Sequence, residues 1–407
     1  MQTHERPFPS RPEIWAVGGG KGGTGKSLVT ASLAIHLAEM GRRVIVVDGD
    51  LGAPNLHSFF GLDAPPFSLS DLITRRIETP EEALCDTGLS RLRLLSGGRN
   101  ALDVESLKHF QKTRLLRLLA GLRADVVLLD LGAGTSLNVL DLFSIADRGI
   151  LVLLPEPTSV ENGYRFLKAA LLRRLQHLAR ALGFRPVVDL VLRYRGGSAP
   201  AHPAAVLEEI QRVDSGVAER LSAHLQAFLP RLIVNQVRDH DDERIGDAIE
   251  AVCDRLLSIP IRFAGAVPYD PVLVRTVKRR RPFLLEYPRS RTAEAFRAAA
   301  EAIGELRPTR RGPAPGLAGG PESAAAWRPH DPYAVLDLSP GASHDQVLAA
   351  YMRLRPVLRA DSPALVSLDC EGERRAALAD LEEAFRLLSR NTAVPWQKPS
   401  PRTPGHR

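Results

Sequence analysis

The chain's most chemically informative stretch is Gly18-Gly19-Gly20-Lys21-Gly22-Gly23-Thr24-Gly25-Lys26-Ser27. It lies between an apolar run, Ile14 to Val17, and a helix-like stretch, Leu28 to Met40. Counted from Gly20 the spacing is G-x-x-x-x-G-K-S, with a strand expected before it and a helix after it. Such a loop turns successive backbone N–H groups toward a di- or triphosphate, because glycine has no Cβ to obstruct them and the helix N-terminus adds partial positive charge. Gly20, Gly22, Gly23, Thr24, Gly25, Lys26 and Ser27 are therefore the expected phosphate-binding residues. Lys26 is the expected point charge on the β- and γ-phosphates, and the Ser27 hydroxyl the expected ligand of Mg2+.

Two acidic motifs follow, each at the end of an apolar run. Val126-Val127-Leu128-Leu129-Asp130 leads into Leu131-Gly132-Ala133-Gly134, which places Asp130 where a carboxylate holds magnesium through water. Val47-Asp48-Gly49-Asp50 offers a carboxylate to orient water and another to support the metal region, although a surface D-G-D turn also fits.

With Lys21 included, the loop reads K-G-G-x-G-K-S and resembles the deviant phosphate loop of the MinD/ParA group of ATPases. The resemblance implies ATP and Mg2+ as ligands and an ATP-dependent homodimer in which Lys21 reaches the partner's nucleotide. It also implies that Asp50 orients the attacking water, that Asp48 supports the metal and phosphates, and that Asn235 reads the adenine edge. The segment from Ala266 through Pro268 to Pro271 would then wrap base and ribose. For Asn235 a turn or cap asparagine is the other reading. Pro155-Glu156-Pro157-Thr158-Ser159 is similar to the corresponding segment of the FlhG branch, linked to flagellar placement and number, but strand termination and helix capping by Thr158 or Ser159 already account for these residues. Residues 1–12 lack the D-Q-A-x-x-L-R activator segment expected of FlhG proteins, so no GTPase partner is implied.

These residues need strand ends to hold them. Between Glu13 and Leu306 short apolar runs alternate with helical periodicity, which predicts an α/β fold with a doubly wound, mostly parallel sheet. Strands are expected at 14–17, 44–47, 92–95, 126–129, 150–154, 187–192, 232–234 and 263–267, with chemistry at their carboxyl ends. Residues 193–230 read as an insertion that caps one face of the sheet or binds a partner. A helix from Thr292 to Leu306 carries mostly alanine and one aromatic, the pattern of a helix packed on the core rather than inserted in lipid.

Residues 1–12 are expected to be a polar tail, 307–329 a Pro/Gly/Ala-rich linker, 330–390 a small all-α unit and 391–407 a disordered tail. The unit carries Asp331-Pro332-Tyr333-Ala334-Val335-Leu336, a capping box of Ser343 with Gln346, and Ala350-Tyr351-Met352-Arg353-Leu354. It resembles a DnaJ-type J domain, except that Arg359-Ala360-Asp361 replaces the His-Pro-Asp triplet that stimulates the heat-shock partner. A J-like adaptor that recruits a protein partner is the expectation.

Three cysteines, Cys85, Cys253 and Cys370, lie far apart, which argues against a metal site or disulfide framework and fits a reducing, cytoplasmic compartment. The net charge of +7 favours anionic partners. The run Lys278-Arg279-Arg280-Arg281 has three readings: peripheral contact with an acidic membrane at its inner face, contact with non-specific DNA, or a solvated helix end. For the whole chain the expectation is an ATP-hydrolysing dimerisation switch that controls placement or number of a cell-envelope machine such as a flagellum. DNA or cargo partitioning, and a nucleotide-held scaffold with negligible turnover, are the alternatives.

Overall fold

The computed structural model describes residues 9, 11–51, 54–98, 109–181, 203–254, 260–304, 332–336, 338, 341–355 and 371–391. In chain order, β1 (Glu13–Gly18), α1 (Lys26–Glu39) and β2 (Val44–Asp48) are followed by a 3-10 turn, Leu56–Phe60. Next come α2 (Leu69–Thr74), α3 (Pro80–Ala83), β3 (Leu84–Asp86), β4 (Leu92–Leu95), α4 (His109–Gly121), β5 (Val126–Asp130), α5 (Leu137–Ile145), β6 (Arg148–Leu153) and α6 (Pro157–Ala181). The order continues with α7 (Pro203–Val213), α8 (Ser215–Phe228), β7 (Arg231–Val237), α9 (His240–Val252), β8 (Arg262–Pro268), α10 (Pro271–Lys278), α11 (Phe283–Glu286) and α12 (Arg291–Gly304). Three further helices, α13 (Pro332–Val335), α14 (His344–Leu354) and α15 (Glu371–Asn391), complete the described elements.

The eight strands form one sheet in the order β3-β4-β2-β5-β1-β6-β7-β8. All pairings are parallel except β3 with β4. Strand alternation divides the core between the faces. Ile14, Ala16, Ile45, Val47, Val127 and Leu129 pack on one side, while Trp15, Val17, Val44, Val46, Val126 and Leu128 pack on the other. The chain leaves β1 toward β2 and leaves β5 toward β6, on opposite sides of the β1–β5 pair. That divergence opens a crevice at the carboxyl ends of these two strands.

The apolar runs located seven of these strands. The expected strand at 187–192 lies outside the described residues, as do the linker and Arg359-Ala360-Asp361. β3 was not anticipated: it is three residues on the sheet edge, too short to show a period. Within 193–230, α7 and α8 bury Val206, Ile210, Val217 and Leu221 in the same cluster as α5 and α6. Phe228 closes the contact edge-on against Phe143, with ring centroids 5.8 Å apart. Phe296, Ala299 and Ile303 of α12 are fully buried, so that helix belongs to the core. In the carboxyl-terminal unit the Ser343–Gln346 capping box is formed, and Tyr351 stacks on Phe385 at 4.1 Å.

One buried carboxylate joins α4, α5 and α6. Asp141 accepts from Lys112 at 2.6 Å, from His177 at 3.0 Å and from Arg173. Burial alone pushes its pKa up, but the hydrogen bonds from His177, Arg173 and Lys112 outweigh it and hold the group well below the usual carboxylate range. Its stabilisation is thus fully present above the unfolded carboxylate range and fades as pH falls. Asp141→Asn is expected to cost roughly 2–3 kcal/mol at neutral pH, because Lys112 and Arg173 lose their anion and His177 loses its carboxylate partner. Urea denaturation should show that deficit narrowing as pH drops from about 5 toward 2. A deficit independent of pH would overturn this account of the cluster.

Candidate nucleotide site

β1 ends in the loop, and α1 starts at Lys26 behind Gly25, whose φ of 88° is left-handed. The glycines divide into two jobs. A Cβ on Gly20 would lie 2.0 Å from the Asn162 carbonyl oxygen, so this residue is glycine because α6 packs onto the loop. Gly22 and Gly23, in contrast, face open space: the nearest atom to a Cβ on Gly22 is 3.9 Å away, and a Cβ on Gly23 would meet nothing within 4 Å. That open side is where phosphates have room.

The acids converge beneath it. In the sheet register Asp48 and Val17 both pair with Asp130, so strand pairing places Asp48 and Asp130 side by side next to the loop. Asp130 is 2% exposed and accepts from Thr30 Oγ1 at 3.2 Å. Its pKa is pushed up to about 6 by burial, against the pull of Ser27, Thr30 and Lys26. Thr30 escaped sequence reading, although its place one turn after Ser27 on α1 puts both hydroxyls on one face.

Asp48, 1% exposed, accepts backbone N–H bonds from Asp50 at 3.1 Å and Leu56 at 3.0 Å. It therefore clamps the loop that carries Asp50. Burial and the neighbouring Asp130 charge raise its pKa to about 8. The Asp50 carboxyl lies over Gly132, where an added Cβ would sit 3.3 Å from its Cγ. Lys26 is 8% exposed, and its Nζ donates to the Lys21 carbonyl at 3.3 Å. Burial lowers its pKa while Asp130 and Asp50 counter that effect.

Lys21 points elsewhere. Its Nζ lies 3.4 Å from Thr158 Oγ1 and 3.8 Å from Glu156, at the start of α6. Ser159 does tie the strand to the helix, but by accepting the Leu154 N–H at 2.9 Å. Asn235 is 2% exposed at the end of β7 and donates from Nδ2 to the Thr24 carbonyl at 2.8 Å, so it supports the loop from below. A bulge follows it, with Gln236 at φ 60°. Pro268 pairs with Val237 across β7 and β8 and lines a cavity of about 290 Å3 with Ala266 and α12. The sheet thus brings Lys26, Ser27, Asp48, Asp50 and Asp130 together, sets Asn235 under the loop, and holds Lys21 at the rim.

The residues present fit a magnesium-bound nucleoside triphosphate. The Thr24 hydroxyl is buried without a hydrogen-bond partner, the loop's outer side is open, and the Ser27 hydroxyl and Asp130 form the oxygen donor set that Mg2+ takes.

Fold and site together define a P-loop ATPase. Residues 15–283 match the CobQ/CobB/MinD/ParA nucleotide binding domain, and the chain belongs to that family. Among curated relatives, the antiactivator FleN of Pseudomonas aeruginosa is 27% identical over 293 residues, covering 72% of this chain and 86% of FleN. The septum site-determining protein MinD of Bacillus subtilis is 24% identical over 292 residues, covering 72% of this chain and 88% of that protein. Among solved structures, MinD of Pyrococcus horikoshii in complex with Mg-ADP shares the fold with a TM-score of 0.50. It is 24% identical, and the match covers 72% of this chain and 97% of that one.

Proposed function

We propose that the chain is an ATP-hydrolysing dimerisation switch. The observation that carries this reading is the split between its two loop lysines. Lys26 is buried among the chain's own acids, whereas Lys21 is held outward at the rim, away from that cluster and accessible to a second copy.

In this reading Lys26 neutralises charge on the β- and γ-phosphates and exchanges its resting partner, the Lys21 carbonyl, for them. Asp48 holds the loop in register through the N–H groups of Asp50 and Leu56, which keeps the Asp50 carboxylate over Gly132 on the side where water would be oriented. Ser27 and Asp130 would hold magnesium, which would supply neutralisation of charge developing on the transferred phosphoryl group. Lys21 leaves Glu156 and Thr158 to complete the partner's site. Asn235 contributes the adenine-facing end of β7, with Pro268 beside it. Hydrolysis then removes the γ-phosphate contacts that joined the subunits, and the dimer dissociates.

Light scattering with ADP and with ATP tests this. Wild type should double in mass with ATP alone, Asp50→Ala should remain dimeric, and Lys21→Ala should remain monomeric. Mass indifferent to nucleotide in all three would replace the switch with a nucleotide-held scaffold.

The output is proposed to be regulatory placement of a cell-envelope machine, a reading supported by relatives named as an antiactivator and as septum site-determining proteins. The surface engaged is proposed to be acidic lipid, contacted through the α10–α11 corner. Residues 271–291 hold seven basic side chains against one acid, Glu286, nearly the whole chain's net +7. Not all are available: Arg280 binds Asp63 and the Leu62 carbonyl, Arg281 binds Glu286 and Arg291 binds Glu243. Arg275, Lys278, Arg279 and Arg289 remain exposed in a segment that also exposes Val274, Leu285 and Tyr287, a mixture of charge and apolar surface that suits a lipid interface better than a DNA backbone. Lys278→Glu with Arg279→Glu should weaken ATP-dependent binding to phosphatidylglycerol vesicles, read by sedimentation, roughly thirtyfold or more, at about 1 kcal/mol for each of the two basic residues lost. If instead the protein ignores vesicles and shifts non-specific DNA in a salt-sensitive way, the partitioning reading takes its place.

The carboxyl-terminal helices are proposed as a J-like adaptor. Deleting residues from Arg307 onward should spare ATPase activity and remove partner recruitment.

A further inference from the structure

The sheet has a second concave site at its opposite edge, which the nucleotide reading does not use. A cavity of about 480 Å3 opens at the amino ends of β2, β4 and β5. Arg43, Arg91 and Arg123 precede those three strands, and Arg93 points out from the second residue of β4. Parallel pairing brings them together: the Val44 N–H donates to the Arg91 carbonyl at 2.7 Å, and the Asp125 N–H to the Arg43 carbonyl at 2.8 Å. Arg43 is fixed by Asp125, which takes two guanidinium N–H groups at 3.0 and 2.6 Å. Arg91, Arg93 and Arg123 are exposed and, among the described residues, have no ion-pair partner. Among the described residues Asp86, which faces Arg93 in the β3–β4 register, is the one acid in the lining, and half-buried Leu89 supplies an apolar wall.

We propose that this cavity binds a phosphate-bearing small molecule of about nucleotide size. Its volume lies within the range of roughly 300–1,000 Å3 found for small-molecule sites. Guanidinium forks match phosphate oxygens in pairs, and Arg91, Arg93 and Arg123 set against the single carboxylate of Asp86 leave an excess of positive charge in one concavity that a bound anion would offset. The apolar wall beside them suits a base or another flat ring. This is not another arm of the phosphate loop. The site lies at the amino end of β5 and Asp130 at the carboxyl end, separated by five residues at about 3.3 Å each.

The test uses the full chain with Lys26→Ala, which disables the loop, titrated calorimetrically with inorganic pyrophosphate and with ADP. A saturable site should persist in Lys26→Ala, and adding Arg93→Ala and Arg123→Ala should weaken it roughly tenfold or more, as expected for lost hydrogen bonds to charged groups. Arg91→Gly gives an independent check that does not threaten folding, because Arg91 has a φ of 64°, which glycine adopts without strain. ADP binding more tightly than pyrophosphate assigns the apolar wall to a base, and equal affinity assigns the site to phosphate alone. Affinity unchanged by all the arginine substitutions would overturn the proposal. So would a poly-glutamate peptide that binds more tightly than either anion with the same arginine dependence, since the face would then dock an acidic protein segment.

Discussion

Asp50→Ala is expected to lower steady-state ATP turnover by about 10²–10⁴-fold, the usual contribution of a group that positions or deprotonates the nucleophile. Nucleotide affinity should stay within a few-fold of wild type. The reason lies in how the loop is held. Asp48 grips it through the Asp50 backbone N–H and the Leu56 N–H, and alanine keeps that N–H. The side chain removed lies over Gly132 and is only half-buried, so its loss leaves no cavity in the core. Asp50 also places negative charge near the phosphates, so removing it does not weaken their binding. Phosphate release measured beside fluorescent-nucleotide affinity separates the two effects. Turnover within threefold of wild type would exclude Asp50 from the chemistry. Asp48→Ala would be a poor substitute for this experiment, because it strands the buried Leu56 N–H and the part-buried Asp50 N–H and loosens the loop itself.

Gly25→Ala should be comparably damaging by a different route. At φ 88° an L-residue already costs roughly 1–2 kcal/mol, and the new Cβ would stand 2.2 Å from Asn235 Nδ2. Asn235 has no room to yield, being 2% exposed and bonded to the Thr24 carbonyl. The loop must therefore move, and with it Lys26 and the α1 N-terminus. Nucleotide affinity is expected to fall by about 10²-fold, equivalent to ~2.8 kcal/mol, with the circular dichroism spectrum unchanged. Gly23→Ala is the matched control. Its φ of 79° carries the same backbone strain, but its Cβ would meet nothing within 4 Å. Equal losses in both variants would show that strain alone matters and that Asn235 is not a strut.

These two expectations separate what different kinds of residue reveal. Asp50 and Asp130 were legible because each follows an apolar run, and strand ends in a parallel sheet are where such acids collect. Asn235 was legible as a strand-end amide, but its bond to Thr24 joins residues 211 positions apart, and no local pattern encodes it. The requirement for glycine at position 20 was likewise read as a phosphate cradle, whereas the Asn162 carbonyl of α6 is what excludes a side chain there.

The basic run Lys278 to Arg281 makes the same point about charge. Sequence counts four cations, yet the fold assigns Arg280 to Asp63 and Arg281 to Glu286, which changes the surface on offer. Similarly, the four arginines at the amino edge are scattered between positions 43 and 123 and have no motif in common. They converge only because β2, β4 and β5 lie side by side.

By itself, then, the sequence determined the class of this protein: the phosphate loop, the two acid motifs and their strand–helix setting are local patterns, fixed by backbone geometry over stretches of ten residues or fewer. The tertiary structure alone decided which atoms those motifs face. Loop support by Asn235, the outward placement of Lys21 against Glu156, the Asp141 cluster and the arginine-lined cavity each arise from contacts between segments distant in the chain. Such contacts depend on sheet order, and sheet order is set by how the whole core packs rather than by any one segment.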